Sequence, residues 1–152
     1  MLKRIREMKD QDGFTLIELM VVVLIIAILI AIAIPTFLGL RERAQNRAAT
    51  SDLRNGLTAA KAYYTDGDTF VGFNVAEGED IEPSLSWVLG AGTEDDVGIR
   101  LADADNVVLT HQSASGSWFC AVDEDGASSV RGPEDTELLV STLAACGAAD
   151  PV

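Results

Sequence analysis

Gly13-Phe14-Thr15-Leu16-Ile17-Glu18 opens the stretch that decides the fold, and an apolar run follows directly behind it. Leu19–Ile34 contains only Leu, Met, Val, Ile and Ala, and no charged residue occurs from Leu19 to Leu40. As a helix rising about 1.5 Å per residue, Leu19–Leu40 would be roughly 33 Å long. That length crosses a hydrocarbon core of about 30 Å. Glu18 is the one exception, a carboxylate at the head of the run. In hydrocarbon such a charge costs a few kcal/mol at a helix centre and less near its end, so it needs a partner.

Upstream, residues 1–13 carry Lys3, Arg4, Arg6 and Lys9, with Asp10 and Asp12 close to Gly13. Positive charge on one flank of a single apolar segment places that flank in the cytoplasm and the rest of the chain outside. A Gly-Phe junction, a lone Glu and then a membrane-length helix together resemble the class III signal of type IV prepilins. The resemblance covers residues 1–40 closely, Pro35 included, and the remainder only in architecture. It implies that a dedicated peptidase cuts between Gly13 and Phe14 and methylates the new amine of Phe14. The cut lies before the apolar run, unlike that of an ordinary secretory signal, so the run stays in the mature chain. The bare alternative, a plain N-terminal anchor, accounts for neither Gly13-Phe14 nor Glu18.

Cleavage after Gly13 would give Phe14 a free positive amine. Phe14 and Glu18 are i and i+4 on one helix face, so they can pair within one chain. The resemblance favours the amine of a neighbouring chain, with Glu18 and Phe14 setting the docking register of an incoming subunit. The alternative is a Glu18 that snorkels to the interface. Leu19–Ile34 is apolar around its whole circumference, which suits burial in lipid or among other helices. Ala27, Ala31 and Ala33 would permit close helix approach. Pro35 removes a backbone hydrogen bond, and Gly39 follows. A kink or local melting is expected near Leu29–Gly39, and the resemblance implies unwinding there in assembled filaments.

Past Leu40 the character changes. Ala49, Leu53, Leu57, Ala60 and Tyr64 recur at helical spacing, opposite Arg47, Asp52, Arg54 and Lys61. The helix is therefore expected to continue as an amphipathic half over 41–64, its apolar stripe on a sheet, and to end at Asp66-Gly67-Asp68. Gly56 costs about 1 kcal/mol relative to Ala without cancelling the pattern. Arg41, Arg43 and Arg47 lie just beyond the apolar span. They suit lipid headgroups, acidic neighbouring subunits, or plain solvation.

Residues 65–96 show no sustained period and read as a linking loop, with a short helix expected at Ser84–Leu89 behind Pro83. Strand-like runs follow at Val97–Leu101, Val107–Gln112, Trp118–Val122 and Ala127–Val130, separated by turn clusters, an antiparallel meander. Leu138-Leu139-Val140 and Leu143 suggest either a last strand or a short helix. Cys120 and Cys146 are an even count beyond the membrane segment, which suggests a disulfide. Two free buried thiols are the alternative. The resemblance implies that this pair closes a C-terminal disulfide loop. With about 25 residues enclosed, such a bond is worth roughly 3.5 kcal/mol.

The expected fold class is α+β. A long N-terminal helical spine packs on a small antiparallel head, divided as leader 1–13, transmembrane or filament-core helix 14–40, amphipathic helix 41–64 and head 65–152. Charge is lopsided: residues 1–61 hold 9 basic and 6 acidic side chains, and residues 62–152 hold 2 and 18. Such a head repels phosphates, so no direct nucleic-acid binding is expected. His111 is the only histidine, and it reads as a surface strand residue with no nucleophile motif nearby. Asp123-Glu124-Asp125-Gly126 and Asp66-Gly67-Asp68 fit no twelve-residue calcium loop, and Asp-Gly is an ordinary hairpin turn. No catalytic residue, metal or cofactor is expected, and no Asn-linked glycan signal occurs.

The resemblance implies a major-type subunit of a type IV pilus, used for adhesion or twitching motility. It would be a single-pass membrane protein before assembly and part of a surface filament afterward. Its implied partners are other copies of itself in a helical homopolymer, a prepilin peptidase/methyltransferase, a pilus assembly platform, minor pilins, and the membrane. A pseudopilin of type II secretion or of competence DNA uptake would share the leader and spine. A membrane-anchored enzyme is a reading of another class.

Overall fold

The computed structural model describes residues 13–136 and 142–148. The leader up to Asp12 and the Leu138-Leu139-Val140 run lie outside them. The chain divides into two compact units, one ending at Leu40 and one beginning at Arg41. Among the described residues, helix α1 (Leu16–Gly67) supplies the regular structure of the first unit and the opening of the second. Pro35 stands inside it, and α1 continues without interruption past Pro35 and Gly39. The apolar part of α1 has the length and hydropathy to cross a membrane, and none of its most apolar window is buried by the chain.

In the second unit α2 (Val75–Ile81) precedes strands β1 (Ser86–Leu89), β2 (Asp96–Ala102), β3 (Asn106–Gln112), β4 (Trp118–Glu124) and β5 (Ala127–Glu134), and α3 (Leu143–Ala148) follows. The fold is α+β, as the sequence indicates. The five strands lie side by side in chain order. One face meets α1: Ala49, Leu53, Leu57 and Ala60 are buried with Val97, Ile99, Val107, Leu109, Phe119 and Ala121. This is the stripe expected from periodicity. Tyr64 sits at its margin, half-buried, its ring 4.7 Å from that of Phe70.

Gly56 has a packing reason. A methyl there would lie 3.2 Å from both the Trp87 ring and Leu109. Gly78 of α2 meets Trp87 as well, with a methyl position 2.7 Å from the indole. Two glycines thus make room for the largest side chain of the core, and Phe73 packs edge-on against it at 5.6 Å.

The helix expected at Ser84–Leu89 is a strand instead, and the helix lies upstream. Asn74 caps α2, its side chain accepting from the N–H groups of Ala76 (2.9 Å) and Glu77 (3.4 Å). An Asx cap outweighs the weaker start signal of Pro83. Trp87 points into the core while Ser86 and Leu89 stay exposed, and pairing with β2 fixes the extended form.

Strands β2 to β5 form the antiparallel meander, but β1 pairs with β2 in parallel. Parallel neighbours usually need a crossover of about a dozen residues or more. Here the return is the short segment between Leu89 and Asp96. It crosses the sheet face turned away from α1, directly over Gly98. A methyl on Gly98 would lie 2.1 Å from the Gly92 nitrogen and 2.3 Å from the Gly90 oxygen. The Gly92 N–H then donates to the Thr110 hydroxyl at 3.1 Å, and the Gln112 N–H donates to the Thr93 carbonyl at 3.2 Å.

The same far face carries a second apolar layer of Val108, Cys120, Val122 and Cys146, flanked by Leu101 and Trp118. A bulge between Ile99 and Leu101 turns Leu101 onto it, opposite Val108. Cys120 and Cys146 are disulfide-bonded, with Cα atoms 6.0 Å apart, which ties α3 to β4. Central strands covered on both faces read as nearly unbroken apolar runs. The β4–β5 turn places Asp125 (φ 50°) and Gly126 (φ 84°) in the left-handed region, the two-residue hairpin geometry that Asp-Gly favours. Strand β5 runs to Glu134, beyond the Val130 limit expected.

Candidate functional site

Gly13, Phe14 and Thr15 are not helical, and α1 starts at Leu16. Thr15 is the residue that starts it. The Glu18 N–H donates to Thr15 Oγ1 (3.2 Å), and Glu18 Oε2 accepts from the Thr15 N–H (2.9 Å) and hydroxyl (2.7 Å). This reciprocal capping box satisfies two backbone donors that the first turn leaves open. The sequence suggests as partner of Glu18 the Phe14 amine of the same chain or, favoured by the resemblance, of a neighbouring one, with snorkelling as the alternative; Thr15 is a partner that this reading lacks. Its signal was legible, since Thr-x-x-Glu ahead of an apolar run is the capping-box pattern. Both bonds end on Oε2, and among the described residues Oε1 accepts none. The carboxylate is therefore held in position with one oxygen open.

Phe14, Ile17, Glu18, Val21 and Val22 border one depression along the helix surface. Phe14 is 86% exposed, and the large apolar side chains from Leu16 to Leu40 are all exposed in the single chain. An apolar surface of this extent requires cover from lipid or from other chains. Among the described residues, nothing lies within 4 Å of a Cβ position on Gly13. Within α1 the Thr36 hydroxyl donates to the Ile32 carbonyl at 3.2 Å, next to Pro35.

The described residues of the head hold no comparable chemistry. Among the described residues, no three His, Cys, Asp or Glu side chains are grouped to hold a metal ion. His111 is buried, contrary to its reading as a surface residue. Val107, Leu109 and His111 alternate onto the helix side of β3, and the period carries the histidine inside. Its Nδ1 lies 2.8 Å from the Gln112 carbonyl oxygen, and its Nε2 lies 3.5 Å from an Asp52 oxygen on α1.

Asp123 is buried by the same logic, on β4 in line with Phe119 and Ala121. Lys61 of α1 reaches it at 3.0 Å, the Gly126 N–H donates to it at 3.2 Å, and the Ser128 hydroxyl donates to its other oxygen. Burial opposes its ionisation, but Ser128, Lys61 and Gly126 together outweigh it and hold the carboxyl below its ordinary range. The group protonates more readily unfolded than folded. Its stabilisation is therefore full above the unfolded value of about 4 and is lost as pH falls through the lower folded value. Asp123→Asn is expected to lower stability at pH 7 by about 2 kcal/mol. It should also flatten the loss of melting temperature between about pH 4 and pH 2. Thermal unfolding of the two proteins across pH checks both, and parallel curves would show that Asp123 does not carry the acid sensitivity.

A family model described as a prokaryotic N-terminal methylation motif matches residues 8–34. The chain is 32% identical over 143 residues to fimbrial protein Q of Moraxella bovis, covering 79% of this chain and 91% of that one. It is 46% identical over 61 residues to the type IV major pilin protein PilA of Myxococcus xanthus, covering 40% of this chain but 28% of that one. It is 37% identical over 65 residues to the type II secretion system core protein G of Vibrio cholerae, covering 43% and 44%. Against two of these three relatives the match spans less than half of their length. No solved structure matches the chain significantly.

Proposed function

The chain belongs to the type IV pilin family, and from that premise we propose that it is a major-type structural subunit of a type IV pilus. The observation that carries this reading is the helix from Leu16 to Leu40, whose large apolar side chains are all exposed in the single chain. Lipid covers it before assembly, and the same helices of neighbouring subunits cover it in the filament. Relatives named major pilin and fimbrial protein support the reading. On it the chain is not an enzyme and needs no cofactor.

The division into leader 1–13, core helix 14–40, amphipathic helix 41–64 and head 65–152 follows the life of such a subunit. A prepilin peptidase cuts between Gly13 and Phe14 and methylates Phe14. The cut chain leaves the membrane through an assembly platform, with minor pilins, into a surface filament serving adhesion or motility. Phe14 and Glu18 act in docking, and Pro35 and Gly39 mark where the helix yields on assembly. The similarity to a secretion-system core protein favours one second reading, a pseudopilin, which uses the same N-terminal segment.

Processing is directly measurable. Mass spectrometry of purified filaments should find chains beginning with N-methylated Phe14. Gly13→Val should reduce cleavage by about 10-fold or more, as the site gains a branched side chain where there was none. Filaments whose subunits begin elsewhere would overturn the assignment. Growth of the chain only into short, envelope-bound assemblies would favour the pseudopilin.

A further inference from the structure

Residues 62–152, with 2 basic and 18 acidic side chains, make heads repel one another when brought side by side. Four of the five cations on α1 are ordered. Arg43, Arg47, Arg54 and Lys61 follow at steps of four and seven along α1. At 3.6 residues per turn they fall within about 40° of one line, roughly 27 Å long. Arg54 and Lys61 border a groove of about 370 Å³ between α1 and β5, which Leu57, Ser128 and Val130 also line. Among the described residues, Arg43, Arg47 and Arg54 form no ion pair.

Strand β5 is one edge of the sheet and β1 is the other, and α2 packs against β1. Helix α2 exposes Glu77, Glu79 and Asp80, again without an ion pair among the described residues. Beyond Leu40, the large apolar side chains that stay exposed among the described residues are Val71 (58%), Ile81 (36%) and Leu89 (72%). All three lie in α2 or β1 or just ahead of α2. One edge of the head is thus a cationic groove whose lining mixes Leu57 and Val130 with the hydroxyls of Thr58, Ser128 and Ser129. The opposite edge is an acidic ridge with apolar side chains on it.

We infer that the groove between α1 and β5 of one copy receives the acidic α2 edge of a second copy. The inference rests on the polymer reading above and names the contact between heads. The two surfaces differ and lie on opposite edges, so the contact is heterologous and repeats from copy to copy, as an open helical filament requires. It also supplies local attraction between heads whose net charge is repulsive.

The test uses full-length chains as the only major subunit in a host with the assembly machinery. Arg47→Glu/Arg54→Glu should cut sheared filament yield by about 10-fold or more, and Glu77→Lys/Asp80→Lys should do the same. Combining all four restores the charge match with reversed sign and should return yield to within about threefold of the original. Normal membrane levels with the Cys120–Cys146 bond formed show that the variants fold. Double variants that assemble normally, or a fourfold variant as poor as the doubles, would overturn the contact. An unaltered chain that builds no filaments would instead overturn the polymer reading itself. A photo-crosslinking residue at Thr58, exposed on the groove rim, should capture the 75–82 segment of a second copy. Capture of lipid, another protein or a different segment overturns the inference.

Discussion

Chains carrying Glu18→Ala are expected to accumulate in the membrane and lose their leader, yet leave sheared surface fractions almost free of filaments. Glu18 is the only charge between Phe14 and Arg41. Among packed apolar helices, sliding one subunit along another changes dispersion energy little. An amine–carboxylate pair in that setting does discriminate, because removing one partner of a buried pair costs about 3–5 kcal/mol. The structure adds a competing role, since Glu18 also closes the capping box with Thr15. Three variants separate the two. Thr15→Ala removes a cap worth about 1 kcal/mol and should leave filament number nearly unchanged. Glu18→Gln keeps an acceptor for the Thr15 N–H but has no charge, and should be as poor as Ala. Glu18→Asp, with a shorter arm, should fall between. Electron microscopy of sheared fractions with immunoblots of membranes decides the matter. Abundant filaments from Glu18→Gln would leave Glu18 a capping residue only.

The second large effect concerns Gly98. No side chain fits where the segment from Gly90 to Asp95 crosses β2, because a methyl would meet three backbone atoms of that segment. Overpacking a core costs about 1–3 kcal/mol when side chains can give way. Here the neighbours are the Gly92 nitrogen, the Gly90 oxygen and the Ala91 carbon, which cannot rotate aside. Gly98→Ala should therefore cost about 3 kcal/mol or more, and Gly98→Val should abolish the folded head. A folded head retains the Cys120–Cys146 bond and resists protease, so digestion of membrane fractions reads the outcome. Protease resistance of Gly98→Val equal to the original would show that the crossing can lift off the sheet.

These two sites differ in how far the sequence discloses them. Glu18 stands alone against an apolar run, and α1 shows a clean change of pattern at Leu40, so both can be read residue by residue. The β1–β2 return is different. Parallel pairing, and the need for Gly98 beneath it, depend on contacts between Gly92 and Thr110 that no local period encodes. At Ser84–Leu89 Pro83 resembles a helix start, whereas the stronger Asn74 cap sits in a stretch with no periodic pattern. Thr15 is legible as the first residue of a Thr-x-x-Glu capping box ahead of an apolar run. His111 and Asp123 are polar residues at inward positions of β3 and β4, where the period places them correctly but residue type argues for the surface. Each is buried because α1 supplies a partner, Asp52 for one and Lys61 for the other.

The placement of the two tryptophans gives the head a pair of optical reporters. Trp87 is sealed between Gly56 and Gly78 on the side of the sheet that α1 covers. Trp118 lies on the other side, against the layer that contains the Cys120–Cys146 sulfurs. Replacing either indole with Phe leaves a chain whose emission follows one side of the sheet alone. If the two emissions change together during denaturation, the layers melt as one cooperative block. If Trp118 responds first when the cystine is reduced, the α3 side detaches while the α1 side holds, and the head is a stack of separable sheets of stability.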